Sequence, residues 1–456
     1  MKTHLVVLAT AMALAASAGT RARILSADGE VLAQTIGGER VYPQGKTAAA
    51  VVGFVNQCFG KDGRRFGAGG LEAAFDERLS GVGPQERNDG RGRDLVSTIR
   101  LRPQKMAEAA LEKGVVSNSA AEGCCVAMDL ATGAIVAMAS FPSFDPARYQ
   151  DADSVREMTS PAIAACREVG GVISPLVYAR AFAYGIVLPQ TEFDMDDASW
   201  INPRYFPREV IGGGRVAMAD AFTRGGRRAP AYLAVRLGDM GIADMISGFG
   251  LNRKTNIGLG GGVSGFSIYD TCSRGRPSDV CLSRFGIGYG VAVTCVQLAR
   301  AYSGIALDGK IIEPWVVDGG CFHGRLLPDY LVPQYAHTVA LPKATARTVR
   351  QLLVESTREG RVADNAAVPG MSVAAMTGTA QITIEGKYEY SSEDFTSSCV
   401  GFFPAGEKDK PRYVLAVNVI RPKGRVSGNE VAAPIFSEIA YNLMKGENHG
   451  APSKLG

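Results

Sequence analysis

The residues from Arg167 to Thr191, REVGGVISPLVYARAFAYGIVLPQT, have the outline of an approach to a nucleophilic serine: a tight glycine turn, then an amphipathic helix ending at Gly185. Yet the turn carries Gly170-Gly171 where a nucleophile is expected. Ser174 offers a hydroxyl, but Ser174-Pro175 also has the pattern of a helix N-cap with proline at the first helical position. A hydroxyl nucleophile needs a base beside it. No lysine occurs between Lys113 and Lys254, and the four histidines (His4, His323, His337, His449) lie outside this region. Arginine cannot serve, because its guanidinium stays protonated. No nucleophile–base pair can be read from these residues.

The elements that must position this region follow from the hydrophobic pattern. The first unit, residues 21–94, opens with ARILSADGEVLAQ, a strand, an Asp-Gly turn and a strand. GGLEAAFDERLSG predicts a short helix, and the polar run from Gly83 to Asp94 a connector. LVSTI then predicts a short strand, and QKMAEAALEKG a helix closed by Gly114. The run GCCVAMDLATGAIVAMASFPSF predicts a β-hairpin stopped at Pro142. A glycine-rich, mostly helical middle follows, including AYLAVRLGDMG and VAVTCVQLARAYSGIALDG; KATARTVRQLLVESTREG is a further helix. Three strand-like runs at 371–384, 396–403 and 411–420 precede the helix VAAPIFSEIAYNLMK and a polar tail, 446–456, expected to be disordered. Strands early, helices in the middle and strands late imply one sheet assembled from both ends of the unit 95–445.

Composition narrows the function classes. The chain has 456 residues, 46% of them hydrophobic, enough for at least one large core. Its formal net charge is +4, with no single-sign block long enough for a nucleic-acid or polybasic membrane patch. Scattered histidines and the lack of CxxC spacing argue against a metal site, and nothing calls for a cofactor. Residues 1–20 combine Lys2, an apolar run from Leu5 to Ala18 and Ala16-Ser17-Ala18, the pattern of an export signal. The run is short for a membrane span, which needs about 20 apolar residues, so cleaved signal and short anchor both stay open. Export directs attention to the nine cysteines. An odd count leaves one unpaired; adjacent Cys124 and Cys125 read as buried small hydrophobes, and Cys272 and Cys281 flank a loop that a bridge could close.

AAMTGTAQ, followed by SSCVGFFPA and RYVLAVNVIRP, resembles the C-terminal half of a penicillin-binding protein transpeptidase domain. The order of features along the chain strengthens the resemblance. ARILSADGEVLA is similar to that family's opening strand, AMDLATGAIVAMASFPSFDP to the hairpin before its nucleophile, and FGLNRKTNIGL with FGIGYGVAVTCVQLARAYSGIALDGKIIEPWVV to later stretches. The likeness runs from about Arg21 to Met444 and points to the class B, monofunctional branch. It implies an α/β (α+β) penicillin-binding/β-lactamase-like transpeptidase fold: an antiparallel sheet flanked by helices, an inserted helical subdomain and a small N-terminal pedestal.

The family performs acyl transfer through three motifs. S-x-x-K supplies the serine nucleophile with a neutral lysine one turn later. S-x-N relays protons, and K-T-G binds the substrate carboxylate on a strand edge; two backbone N–H groups form the oxyanion hole. All three are degenerate here. The nucleophile position is Gly171 and the lysine position Ser174, so the helix is expected to start later than in the family. The second motif is Gly225-Gly226-Arg227, with Arg227 and Arg228 either solvated or filling the old cleft. Met376 replaces the third lysine, leaving Thr377, Gly378 and Thr379 as candidate substrate-binding residues or plain sheet residues, with the Thr379 N–H at an oxyanion-donor position.

The resemblance therefore implies a pseudo-transpeptidase with a scaffolding, regulatory or peptidoglycan-binding role in cell-wall synthesis or division. Implied partners are a peptidoglycan stem peptide, a SEDS-type glycan polymerase or division proteins, and the implied location is the periplasm or inner membrane, with the N-terminus as the route to membrane association. Two alternatives stand beside it: an active D,D-transpeptidase using displaced groups such as Ser174, and an exported protein binding an unrelated ligand in the old cleft.

Overall fold

Ser26 to Gly29 folds the chain back on itself through the predicted Asp-Gly turn. The Ser26 hydroxyl accepts the N–H groups of Asp28 and Glu30, and Gly29 takes the φ of +82° that the turn demands. The computed structural model describes residues 21–60, 65–83, 91–154, 157–201, 209, 212–267, 277–318, 321–322, 325–326, 338–384 and 389–447. The expected leader (1–20), all four histidines, Cys272 with its pairing to Cys281, and tail residues 448–456 lie outside them.

The turn joins β1 (Ile24–Leu25) to β2 (Val31–Ile36); β3 (Glu39–Val41) and β4 (Leu95–Val96) complete a four-stranded sheet in the order β3-β2-β1-β4. GGLEAAFDERLSG forms two short helical segments, Gly70–Ala74 and Asp76–Ser80, rather than one helix. Phe75, with φ −123° and ψ 30°, breaks them as its side chain enters the core. Glu72 is fully buried and holds Arg21 and Arg40 at 2.6 and 2.7 Å, the pairing a buried carboxylate needs. Just past β4, Ser97 bridges to Val317 and the Thr98 hydroxyl donates to the Ile135 carbonyl, stitching this small sheet to the larger unit.

Helix α1 spans Leu101–Ser117 and does not stop at Gly114. That glycine serves packing instead: a Cβ there would lie 2.2 Å from Ile435 Cδ1. The predicted hairpin is β5 (Glu122–Asp129) and β6 (Ile135–Phe141). The helical middle contains α2 (Ser174–Ala183), α3 (Met218–Thr223), α4 (Arg228–Gly248, broken at Gly238), α5 (Asp279–Gly286), α6 (Cys295–Ala306) and α7 (Lys343–Glu355). Every residue of α6 is buried, and a capping box of Thr294 and Gln297 satisfies its first turn.

The late strands are β7 (Ala374–Thr383), β8 (Tyr390–Phe403) and β9 (Tyr413–Ile420), followed by α8 (Gly428–Glu447). β8 begins at Tyr390, well before the expected 396, because its polar first half pairs with the end of β7. The sheet runs β7-β8-β9-β5-β6, all antiparallel, so strands from both ends of the unit meet at β9 and β5. Alternation divides its faces. Met376, Val400, Ala416 and Val126 face the helical middle, while Ala375, Cys399, Val417 and Cys125 face α1 and α8. Cys124 and Cys125 are both buried, unpaired thiols on opposite faces. Among the described residues, no helix is long and apolar enough to cross a membrane.

Candidate functional site: a cleft at the edge of the sheet

β7 is an edge strand, and its open edge faces the start of α2. Residues Gly170–Ile173 form a 3₁₀ turn that runs directly into the helix. The expected N-cap at Ser174 is therefore not found. Ser174 is already helical (φ −52°, ψ −42°), its N–H donates to the Gly171 carbonyl, and its hydroxyl donates to the Gly286 carbonyl at 3.0 Å. The preceding turn does the work a cap would do.

Three glycines let this turn touch the strand backbone to backbone. Gly170 has φ +63°, and a Cβ there would lie 2.5 Å from the Thr379 carbonyl oxygen. At Gly378 it would lie 2.2 Å from the Val169 oxygen, and at Gly171 2.9 Å from the Thr377 oxygen. Contacts below 3 Å leave no room for a side chain without moving one backbone or the other. The nucleophile position is thus occupied space.

The second-motif position is closed in another way. Gly225, between α3 and α4, has φ +78°, and its missing Cβ would lie 2.5 Å from Val362 Cγ2. The carbonyl of the same Val362 accepts the Thr377 hydroxyl at 2.7 Å, so that proton is not available to a ligand. The Thr379 hydroxyl accepts the Gly428 N–H at 2.9 Å and keeps its own proton to donate. Met376, at the lysine position, is 3% exposed and packs in the apolar core. The two arginines separate: Arg228 bonds the Met195 carbonyl and reaches Asp196 at 3.6 Å, whereas Arg227 lines the cleft. The guanidinium of Arg227 has no hydrogen bond or ion pair with any described residue. The Glu209 carboxylate accepts the backbone N–H groups of Arg227 and Arg228 at 3.1 and 3.2 Å, at the positive end of α4.

A cleft of about 430 Å³ collects all of these positions: Gly171, Ser174, Gly225, Arg227, Met376, Thr377, Gly378 and Thr379 line it together. Sequence reading missed Tyr178, which lies one turn after Ser174 on the same helical face and so carried a signal of position. Tyr178 is 1% exposed, its hydroxyl has no hydrogen-bond partner, and burial pushes its pKa up. Glu168 was also missed. It sits just before the turn, its Oε1 accepts the Gly290 N–H (2.6 Å) and the Tyr390 hydroxyl (3.1 Å), and burial pushes its carboxyl up. The described lining residues include no lysine, histidine, cysteine, aspartate or glutamate, and no metal-ligating cluster occurs among the described residues. The cleft can enclose a ligand with an apolar body between Phe222, Ile287, Val362 and Phe395, and it can donate hydrogen bonds.

A two-ended antiparallel sheet flanked by helices, with a cleft at its open edge, is the architecture of the family that the sequence resembles. Residues 123–441 match the family model of the penicillin-binding protein transpeptidase domain, and the chain belongs to that family. It is 28% identical over 428 residues to the peptidoglycan D,D-transpeptidase FtsI of Escherichia coli, covering 90% of this chain and 67% of that one. It is 27% identical over 420 residues to the probable peptidoglycan D,D-transpeptidase PenA of Neisseria gonorrhoeae, covering 88% and 67%. The apo crystal structure of penicillin-binding protein 3 from Mycobacterium tuberculosis superposes with a TM-score of 0.81 at 25% identity, covering 96% of this chain and 98% of that one.

Proposed function

We propose that this protein is a pseudo-transpeptidase: a penicillin-binding fold that binds or scaffolds in cell-wall synthesis or division and forms no acyl-enzyme. The observation that carries this reading is steric. Both serine positions are glycines whose side-chain space is taken, Gly171 by the Thr377 carbonyl and Gly225 by Val362. The chemistry agrees with it. Ser174 commits its proton to the Gly286 carbonyl. The described lining residues supply no carboxylate, imidazole, amine or thiol to act as a base beside it. The ligand of the cleft, on this reading, is a peptidoglycan stem peptide held non-covalently along Thr377, Gly378 and Thr379. The macromolecular partners are those of envelope synthesis, a SEDS-type polymerase or division proteins, with 21–94 as pedestal, 95–445 as transpeptidase-like unit and 1–20 as signal or anchor.

Intact-protein mass spectrometry after incubation with a reporter penicillin tests the reading. The expected result is no adduct on protein that still melts cooperatively. A mass increase of one opened β-lactam, mapped to Ser174 or another serine, would establish an active enzyme with displaced groups instead.

A further inference from the structure

The two ends of the cleft offer different chemistry. At the strand end, the Thr377 hydroxyl is spent on the Val362 carbonyl, the Thr379 hydroxyl keeps a proton to donate, and the third-motif lysine position is the apolar Met376. Among the described lining residues, Arg227 is the one cation. At the α4 end, the Arg227 guanidinium lines the cleft without a partner among the described residues, and the Tyr178 hydroxyl is a buried donor with nothing to receive it. The two belong to one locality. Both line the cleft, the Tyr178 ring meets Phe222 of α3 edge-on at 4.9 Å, and the Phe222 carbonyl accepts the N–H of Gly225, two residues before Arg227.

A buried donor without an acceptor is destabilising, and an incoming acceptor recovers that loss. A guanidinium presents a planar fork of donors that fits a carboxylate, and a bond to an ionised acceptor is stronger than a neutral one. Glu209 is the opposing charge at this end, and its carboxylate is already engaged by the first N–H groups of α4.

We infer that the anion-binding end of this cleft has moved from the third-motif strand to Arg227 and Tyr178, where it holds the carboxylate of a ligand whose apolar body lies along Phe222, Ile287 and Val362. This rests on the reading that the cleft binds without acylation, and it predicts the polarity of the bound ligand. A carboxylate reaches the α4 end rather than Thr377 and Thr379.

Ligand-observed NMR titration of the full chain tests it with two probe pairs: N-acetyl-D-alanyl-D-alanine against its C-terminal amide, and benzoate against benzamide. The acid of each pair is expected to bind about tenfold more tightly than the amide. Arg227→Met should lower the acid to the level of the amide, Arg227→Lys should restore part of the preference, and Thr379→Val should leave it intact. Arg227→Met removes no hydrogen bond or ion pair with a described residue, so an unchanged melting temperature certifies its fold. A preference that survives Arg227→Met, or vanishes with Thr379→Val, overturns the inference, as does binding with no acid preference in either pair. If benzoate behaves as expected while the dipeptide does not bind, the anion site stands and the stem-peptide reading falls. If the dipeptide binds without acid preference, the stem-peptide reading stands and the anion site falls; silence from all four probes rejects both.

Discussion

The face of the central sheet toward α1 and α8 and the open edge of β7 are built on different principles. The face toward α1 and α8 is closed by large side chains: Leu111, Phe403, Leu415, Phe436 and Ile439 are all buried there, and Phe403 meets Phe436 edge-on with centroids 6.0 Å apart. At the open edge of β7, where it meets the turn before α2, backbone closes on backbone through Gly170, Gly171 and Gly378. The first kind of contact holds the fold together by burial of apolar surface. The second fixes the shape of a cleft and excludes side chains from it. The side-chain space beside Gly171 and Gly225 is taken by main chain and by Val362, while the face toward α1 and α8 is closed by side chains.

The largest effect should come from the apolar face. Phe436→Ala removes a fully buried ring and is expected to cost about 3–5 kcal/mol, read from urea denaturation. Gly378→Ala should cost less, about 1–3 kcal/mol, because the added methyl meets the Val169 carbonyl and forces a backbone shift. Gly212→Ala, with open space around it, is the control and should stay within about 0.5 kcal/mol. If Gly378→Ala is as neutral as Gly212→Ala, the turn and strand are not in backbone contact, and the distinction between sheet face and strand edge collapses.

Much of the apolar face was legible in sequence. The hairpin GCCVAMDLATGAIVAMASF and the runs 411–420 and VAAPIFSEIA announce themselves by composition and period, and they became β5, β6, β9 and α8. The early part of β8 was not legible, because YSSEDF is polar and is held by pairing with the end of β7 rather than by burial. At Gly114 a local rule misled: the glycine pattern of a helix end was satisfied by contact with Ile435, a residue far away in sequence. The cleft showed the same limit. That Gly171, Gly225 and Met376 carry no nucleophile or base is plain from residue type, and in the structure all three line one cleft. The helical Ser174, the Val362 plug and the unpartnered phenol of Tyr178 depend on contacts between distant segments, which no one-dimensional pattern records.

The smallest expected effect concerns Glu168, at the joint between the turn and its short strand pairing, where Glu168 lies opposite Ala292. Burial is the largest cause of its raised pKa, and the bonds from the Gly290 N–H and the Tyr390 hydroxyl do not cancel it. A carboxyl with a raised folded pKa keeps its proton longer in the native state than in the unfolded chain. Its contribution to stability is full below the ordinary value of 4.5 and is lost as pH rises through the folded pKa. Glu108, also raised by burial, acts with the same sign, whereas Asp94 and Asp308, lowered, lose their contribution only as pH falls below their ordinary 3.8. Melting temperature should therefore decline above about pH 4.5, and Glu168→Gln should flatten that decline without abolishing it, leaving the part due to Glu108. Identical slopes for wild type and Glu168→Gln would show that the carboxyl at the joint is solvated, and that the turn sits less tightly on the strand than its glycine contacts require.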